Sequence, residues 1–308
     1  MEQNSSNEVD NLAYYIDNKA LVTVTEMGHL FEVQYMEKQN ASCGIKVLNA
    51  NEYVNLSTGE VKEFKKSETK GNYKSLMKTF KRLRYLINNN FSGNGNEKFI
   101  TLTYAEHVTD TKRLYSDFDK FMKRLRYNLK KDPKKFGTSI EYISVVEPMG
   151  DGRWHCHVLM KFVGVKRAGY LPQPYLKELW GQGLVWLNDL QGVDNIGAYL
   201  TAYLTNVELT EETAGRAMAE GSEILTKEVK GVEKRFVKGG RLHYYPSGMN
   251  LYRKSKGIKM PERKTVRMEN VQKKIAEWQP SYQRKVDIDT EDFQNTLVFL
   301  EYNNKRGR

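Results

Sequence analysis

Apolar and polar residues alternate with a period of two through ALVTVTEMGHLFEVQYMEK and IKVLNANEYVNLSTGEVKEF, with Met27-Gly28 and Ser57-Thr58-Gly59 as turn signals within them. The first 70 residues are therefore predicted to form short antiparallel strands, after a polar, disordered stretch over residues 1 to 12. From Tyr73 to Phe91 the period becomes helical. Leu76, Phe80, Leu83 and Ile87 recur every three or four residues, and Lys74, Lys78, Lys81, Arg82 and Arg84 crowd the remaining surface. SGNGNE breaks that helix at the end of a basic segment spanning 71–96. The run KFITLTYAE then returns to period two, and Leu114, Phe118, Phe121, Leu125 and Leu129 give a helix from about Thr111 to Lys130 its apolar stripe.

Further along, SIEYISVVE, the turn PMGDGR and WHCHVLMKFVGV read as a β-hairpin. A short helix in PQPYLKELWGQG, a strand in LVWLND and a helix from an Asp194 N-cap to near Asn206 follow. Tight turns between consecutive strands favour side-by-side pairing, so the fold class predicted for residues 97–210 is α+β, a central antiparallel sheet with helices on one face. Residues 211–308 are a basic C-terminal region that ends in the strand-like NTLVFLEY.

The chain has 308 residues and a formal net charge of +11. That excess favours a polyanionic partner such as nucleic acid, although solvated basic faces would give the same number. Cys43 and Cys156 are the only cysteines, which excludes a disulfide framework and a thiolate zinc site. No apolar run approaches the roughly 18 residues of a membrane span, and the opening MEQNSSNEVDN lacks a signal-peptide core. A cytoplasmic protein without a membrane partner is expected.

Side chains alternate faces along a strand, so His155 and His157 point one way while Cys156 points into the core and is not a ligand. Two histidines on a half-exposed strand are more often plain surface residues than ligands. Here Glu147 lies across the PMGDGR turn, where an antiparallel hairpin sets it opposite the histidines, and a carboxylate there completes a divalent-metal site. Tyr199 and Tyr203 are one helical turn apart, beside the apolar stripe of Ile196, Leu200 and Leu204. Such a pair is more often core lining than catalytic. At the border of the stripe both can face an adjacent sheet, with Tyr199 the more exposed. A phenol has an ordinary pKa of about 10 and attacks at neutral pH only with help, which a nearby divalent cation can give.

These residues resemble the HUH endonuclease superfamily, specifically rolling-circle replication initiators of plasmids, integrative elements and single-stranded DNA phages. FITLTYAE is similar to the family's first motif, Glu147 with GRWHCHVLMKF to its metal motif, and AYLTAYLTN to its tyrosine motif; the three occur in the family's order. The resemblance implies an RRM-like core in which Glu147, His155 and His157 hold Mg2+ or Mn2+. It also implies that Tyr199 or Tyr203 cleaves a single-stranded or melted origin, leaving a 5′-phosphotyrosine and a free 3′-hydroxyl for priming and later religation. Relatives often read YxxKYxxK. Ala202 and Asn206 stand at the lysine positions here, which weakens the assignment of two nucleophiles and makes Lys161 a candidate replacement cation.

Basic, aromatic-interleaved segments flank the core, and Lys78, Lys81, Arg82, Arg84, Lys161, Arg253, Lys254 and Lys256 are the candidate DNA contacts. No GxxxxGK[ST] loop is present, so strand separation falls to a host helicase and extension to a host polymerase in a bacterial cell. A transposase of the same chemistry and a non-catalytic origin- or RNA-binding protein are the competing readings. The first usually carries a cysteine-rich zinc module that this chain lacks, and the second is supported only by the missing lysines.

Overall fold

The computed structural model describes residues 12–39, 44–49, 51–64, 70–149, 153–210, 223–229, 231–246, 248–275, 278–290 and 293–306. The polar stretch predicted before Leu12, Cys43 and the hairpin residues 150–152 lie outside them. Contacts divide the chain into two units, one of residues 1–71 with 262–308 and the other of 72–261.

In the first unit, β1 (Leu21–Met27) and β2 (Leu30–Met36) form the predicted hairpin, turning at Gly28 with φ 61°, a conformation glycine adopts without strain. The strands β3 (Ile45–Val47), β4 (Glu52–Asn55) and β5 (Val61–Glu63) make a small separate antiparallel sheet.

The second unit carries α1 (Lys70–Asn90), β6 (Glu97–Thr103), α2 (Thr111–Leu129), the single-turn α3 (Pro133–Phe136), β7 (Ser139–Pro148), β8 (Trp154–Val163), α4 (Gln173–Trp180), β9 (Val185–Asp189) and α5 (Ile196–Thr205). It continues with β10 (Val207–Glu208), β11 (Ile224–Val229), β12 (Val232–Val237) and β13 (Tyr252–Lys254). The chain then returns to the first unit with β14 (Arg263–Arg267), α6 (Met268–Ile275), β15 (Pro280–Thr290) and β16 (Phe293–Asn303). The first unit's main sheet runs β14-β1-β2-β16-β15, all antiparallel, and buries Val22, Val24, Val33, Val298 and Leu300 with Met268, Val271 and Ile275 of α6. The sequence division at 70 and 210 separates segments that pair here, because strand pairing across more than 200 residues leaves no local signature.

The central sheet of the second unit has the order β13-β7-β8-β6-β9 with every pair antiparallel, which is the predicted α+β class. Its helices cover both faces and not one. Phe118 of α2 packs edge-on against Tyr142, on the face that also carries Ser144, Val146 and Cys156, whereas Tyr203 of α5 meets His157 on the opposite face. Near-continuous burial along β7 and β8 explains this: the centres of both strands are buried on both sides, so each face needs a cover. No helix among the described residues is long and apolar enough to cross a membrane.

Lys161 serves this scaffold. Its Nζ lies 3.3 Å from Oε1 of the buried Glu97 and donates to the Asn90 carbonyl at 3.0 Å. Glu97 in turn accepts from the backbone N–H groups of Ser92, Gly93 and Asn94, which fixes the turn between α1 and β6. Burial of the carboxylate makes that pairing obligatory.

Candidate metal and nucleophile site

The β7–β8 register sets Glu147 directly opposite His155 and Val145 opposite His157, so the carboxylate and both imidazoles share one face. β8 is paired on its other side by β6, with Thr101 opposite His157, and a strand held from both sides positions its side chains firmly. Glu147 and His157 are buried, and His155 is partly open to solvent. Glu147 Oε2 stands 2.6 Å from His157 Nε2 and 3.7 Å from His155 Nδ1. Two lone pairs cannot face each other at so short a separation, so a proton bridges Oε2 and Nε2 in this geometry.

One ligand atom from each of the three residues lies within 4.8 Å of the others. The group can hold a divalent metal in place of that proton. Two imidazole nitrogens with one carboxylate oxygen suit a first-row ion such as Mn2+ better than Mg2+, which prefers oxygen throughout.

The imidazole of His157 is fixed on all sides. Thr101 Oγ1 is hydrogen bonded to Nδ1 at 3.0 Å, Phe99 stacks on the ring at 5.6 Å between centroids, and Tyr203 approaches edge-on at 5.5 Å. Burial of Glu147 opposes ionisation. The hydrogen bond from His157 and the charges of His157, Arg241 and His155 outweigh that and hold the carboxyl below its ordinary value. Burial also lowers His155, only partly offset by Glu147, and the neighbouring cations Arg153 and Arg241 act in the same direction as burial. Cys156 faces the opposite side; burial pushes its thiol up to about 12, so it is no ligand.

Arg241 is the cation of the site, and the sequence did not reveal it. Its Nη1 donates to Glu147 Oε1 at 2.8 Å and to the Pro148 carbonyl at 3.1 Å, while its buried Nε has no partner. Lys161, the replacement suggested by the sequence, is engaged with Glu97 and Asn90.

The nucleophile helix α5 is capped by Asn195, whose side chain accepts from Ala198 N; the predicted cap, Asp194, lies one residue outside. The buried Asn88 of α1 accepts from Gly197 N at 2.8 Å and donates to Asn195 Oδ1 at 3.0 Å. Only glycine fits at 197, since a Cβ would lie 2.5 Å from Asn88 Oδ1 and 2.7 Å from the Arg84 carbonyl. At the other end Asn206, one of the two positions where relatives place lysine, accepts from Gly239 N. Arg241 N donates to the Thr205 carbonyl, and the Tyr245 hydroxyl reaches the carbonyls of Leu204 and Val146. The segment 239–245 thus both ends α5 and supplies Arg241.

Ile196, Leu200 and Leu204 are buried, whereas Tyr199 and Tyr203 are 57% and 50% exposed. Tyr203 is the one in contact with His157, and burial followed by the charge of Glu147 pushes its phenol above the ordinary value. Of the basic residues singled out in the sequence, Lys78, Lys81 and Arg82 are exposed along α1, with Arg84 half-buried and packed on the Tyr85 ring. Arg253 is held by both oxygens of Asp119 at 2.8 and 3.0 Å, Lys254 donates to the Ile258 carbonyl, and Lys256 is exposed.

Residues 97–208 match the sequence model of a family described as replication-associated proteins of the ORF2 type. The match takes in Glu147, both histidines and both tyrosines, and it stops before Arg241. No curated protein and no solved structure matches the chain. The matched segment is similar to replication-associated proteins, which is consistent with a rolling-circle replication initiator.

Proposed function

We propose that the chain initiates rolling-circle replication by nicking single-stranded origin DNA. The observation that carries this reading is the approach of Tyr203 to His157, which places a phenol beside a Glu-His-His group able to hold a metal. The similarity of residues 97–208 to replication-associated proteins supports it. Glu147, His155 and His157 would hold Mn2+ or Mg2+, and the bound ion supplies polarisation of the scissile phosphate and neutralisation of charge at the pentacoordinate phosphorus.

The chain's own groups do the rest. The phenol oxygen forms a bond to phosphorus and gives up its proton, the bond from phosphorus to the 3′ oxygen breaks, and that oxygen takes a proton to become the primer terminus. The phosphotyrosine conserves the phosphodiester energy, so religation by the reverse step needs no nucleoside triphosphate. Arg241 holds Glu147 in place and adds a positive charge close to the reacting centre. Origin DNA, a host helicase and a host polymerase are the partners this role requires.

The test is incubation with single-stranded origin oligonucleotides and Mn2+ or Mg2+, followed by denaturing electrophoresis. A protein-linked 5′ product that disappears with EDTA is expected. Persistence of the adduct in a Tyr199→Phe, Tyr203→Phe double variant overturns the assignment of the nucleophiles.

A further inference from the structure

We propose that Trp186, with Leu184 beside it, forms a base-stacking subsite for single-stranded DNA next to the metal group; the inference rests on the reading of the site as a nicking centre. Thr101 pairs with His157 on one side and with Trp186 on the other, so the three residues lie on one line across β8, β6 and β9 and on one face. Two strand spacings separate the ends of that line, about 10 Å. Trp186 is 52% exposed and Leu184 49%, with the half-buried Thr101 and Thr103 on the neighbouring strand.

A single exposed apolar residue is ordinary on a protein surface. Here β9 is the edge of its sheet, and the alternation is strict: Val185 is buried on the other face while Trp186 and Asn188 are open on this one. Charge runs in the complementary sense. Arg153 and Arg241 act on His155 at one end of the line, and the aromatic ring stands at the other. Glu97, a further acid on that face of β6, is buried against Lys161. A nucleotide presents an anionic phosphate and a flat aromatic base, which match these two ends. The ring tolerates any base, so it adds affinity and sets where the strand lies, without reading sequence.

The test uses the full chain carrying Tyr199→Phe and Tyr203→Phe, so that binding is read without cleavage. Fluorescence anisotropy with labelled single-stranded oligonucleotides is measured over a range of salt, in this parent and with Trp186→Thr or Trp186→Phe added. Threonine keeps the strand propensity and the residue is exposed, so an unchanged melting temperature is expected. Trp186→Thr should weaken binding about tenfold, in line with loss of one stacked base, and Trp186→Phe should recover most of it. The slope of affinity against salt should not change, because no phosphate contact is lost. Unaltered affinity in Trp186→Thr overturns this inference alone, as does a change in sedimentation mass without a change in affinity, which would assign the ring to self-association. Failure of the parent to bind any single-stranded oligonucleotide overturns the inference together with the nicking reading.

Discussion

The Thr101 hydroxyl lies 3.0 Å from His157 Nδ1, and it thereby settles which ring nitrogen faces Glu147. A ligating histidine depends on such an outer partner for its orientation and basicity. Thr101→Val keeps the shape and strand propensity and removes the hydrogen bond. Isothermal titration with Mn2+ should show affinity falling by roughly 10- to 100-fold. Unchanged affinity would mean that the stacking of Phe99 and Tyr203 holds the ring unaided.

Arg241 and Glu147 form a buried pair whose rupture leaves a carboxylate oxygen without its cation. Arg241→Gln should lower the stability of the metal-free protein by about 3 kcal/mol or more, the usual consequence of isolating a buried charge. Because a bound ion compensates the same charge, the loss of melting temperature should be smaller in Mn2+ than in EDTA. Equal losses in the two conditions would show that Glu147 does not face the metal.

The two tyrosines are not equivalent in position. Tyr203 touches His157, and Tyr199 sits a turn earlier on α5 and is more exposed. Tyr203→Phe should therefore abolish the first covalent adduct on an origin oligonucleotide, whereas Tyr199→Phe should retain it and impair only later strand transfer. The reverse pattern on a denaturing gel would assign the first attack to Tyr199.

The lowered pKa of His155 has a consequence for acid stability. Its folded form resists protonation that the unfolded chain accepts at the ordinary value of about 6.5. Stability from this group is thus complete above that value and is lost as pH falls toward the folded pKa. In EDTA the melting temperature should drop more between about pH 7.5 and about pH 5.5 for the parent protein than for His155→Gln, since that window brackets the unfolded value. Parallel curves would show that His155 is not held in its neutral form.

Much of the site was legible because its parts are local. Glu147 and His155 are joined by a single hairpin, so strand alternation and turn position alone were enough to set them face to face. Tyr199 and Tyr203 share one helix, and about 3.6 residues per turn placed them on one side of it. Even their relative exposure followed from the buried stripe of Leu200 and Leu204.

What the sequence by itself determined was therefore the antiparallel α+β core, the Glu-His-His face and the tyrosine helix, each fixed by interactions within a few residues or across one turn. Tertiary structure decided the rest. Arg241 comes to Glu147 from 241 − 147 = 94 positions away. Asn88 caps a helix from another helix, Thr101 reaches His157 from a strand far earlier in the chain, and β14 and β16 complete a sheet begun at residue 21. No periodicity encodes these pairings. They depend on which surfaces remain to be covered, and which buried polar atoms remain to be satisfied, once the local elements have formed.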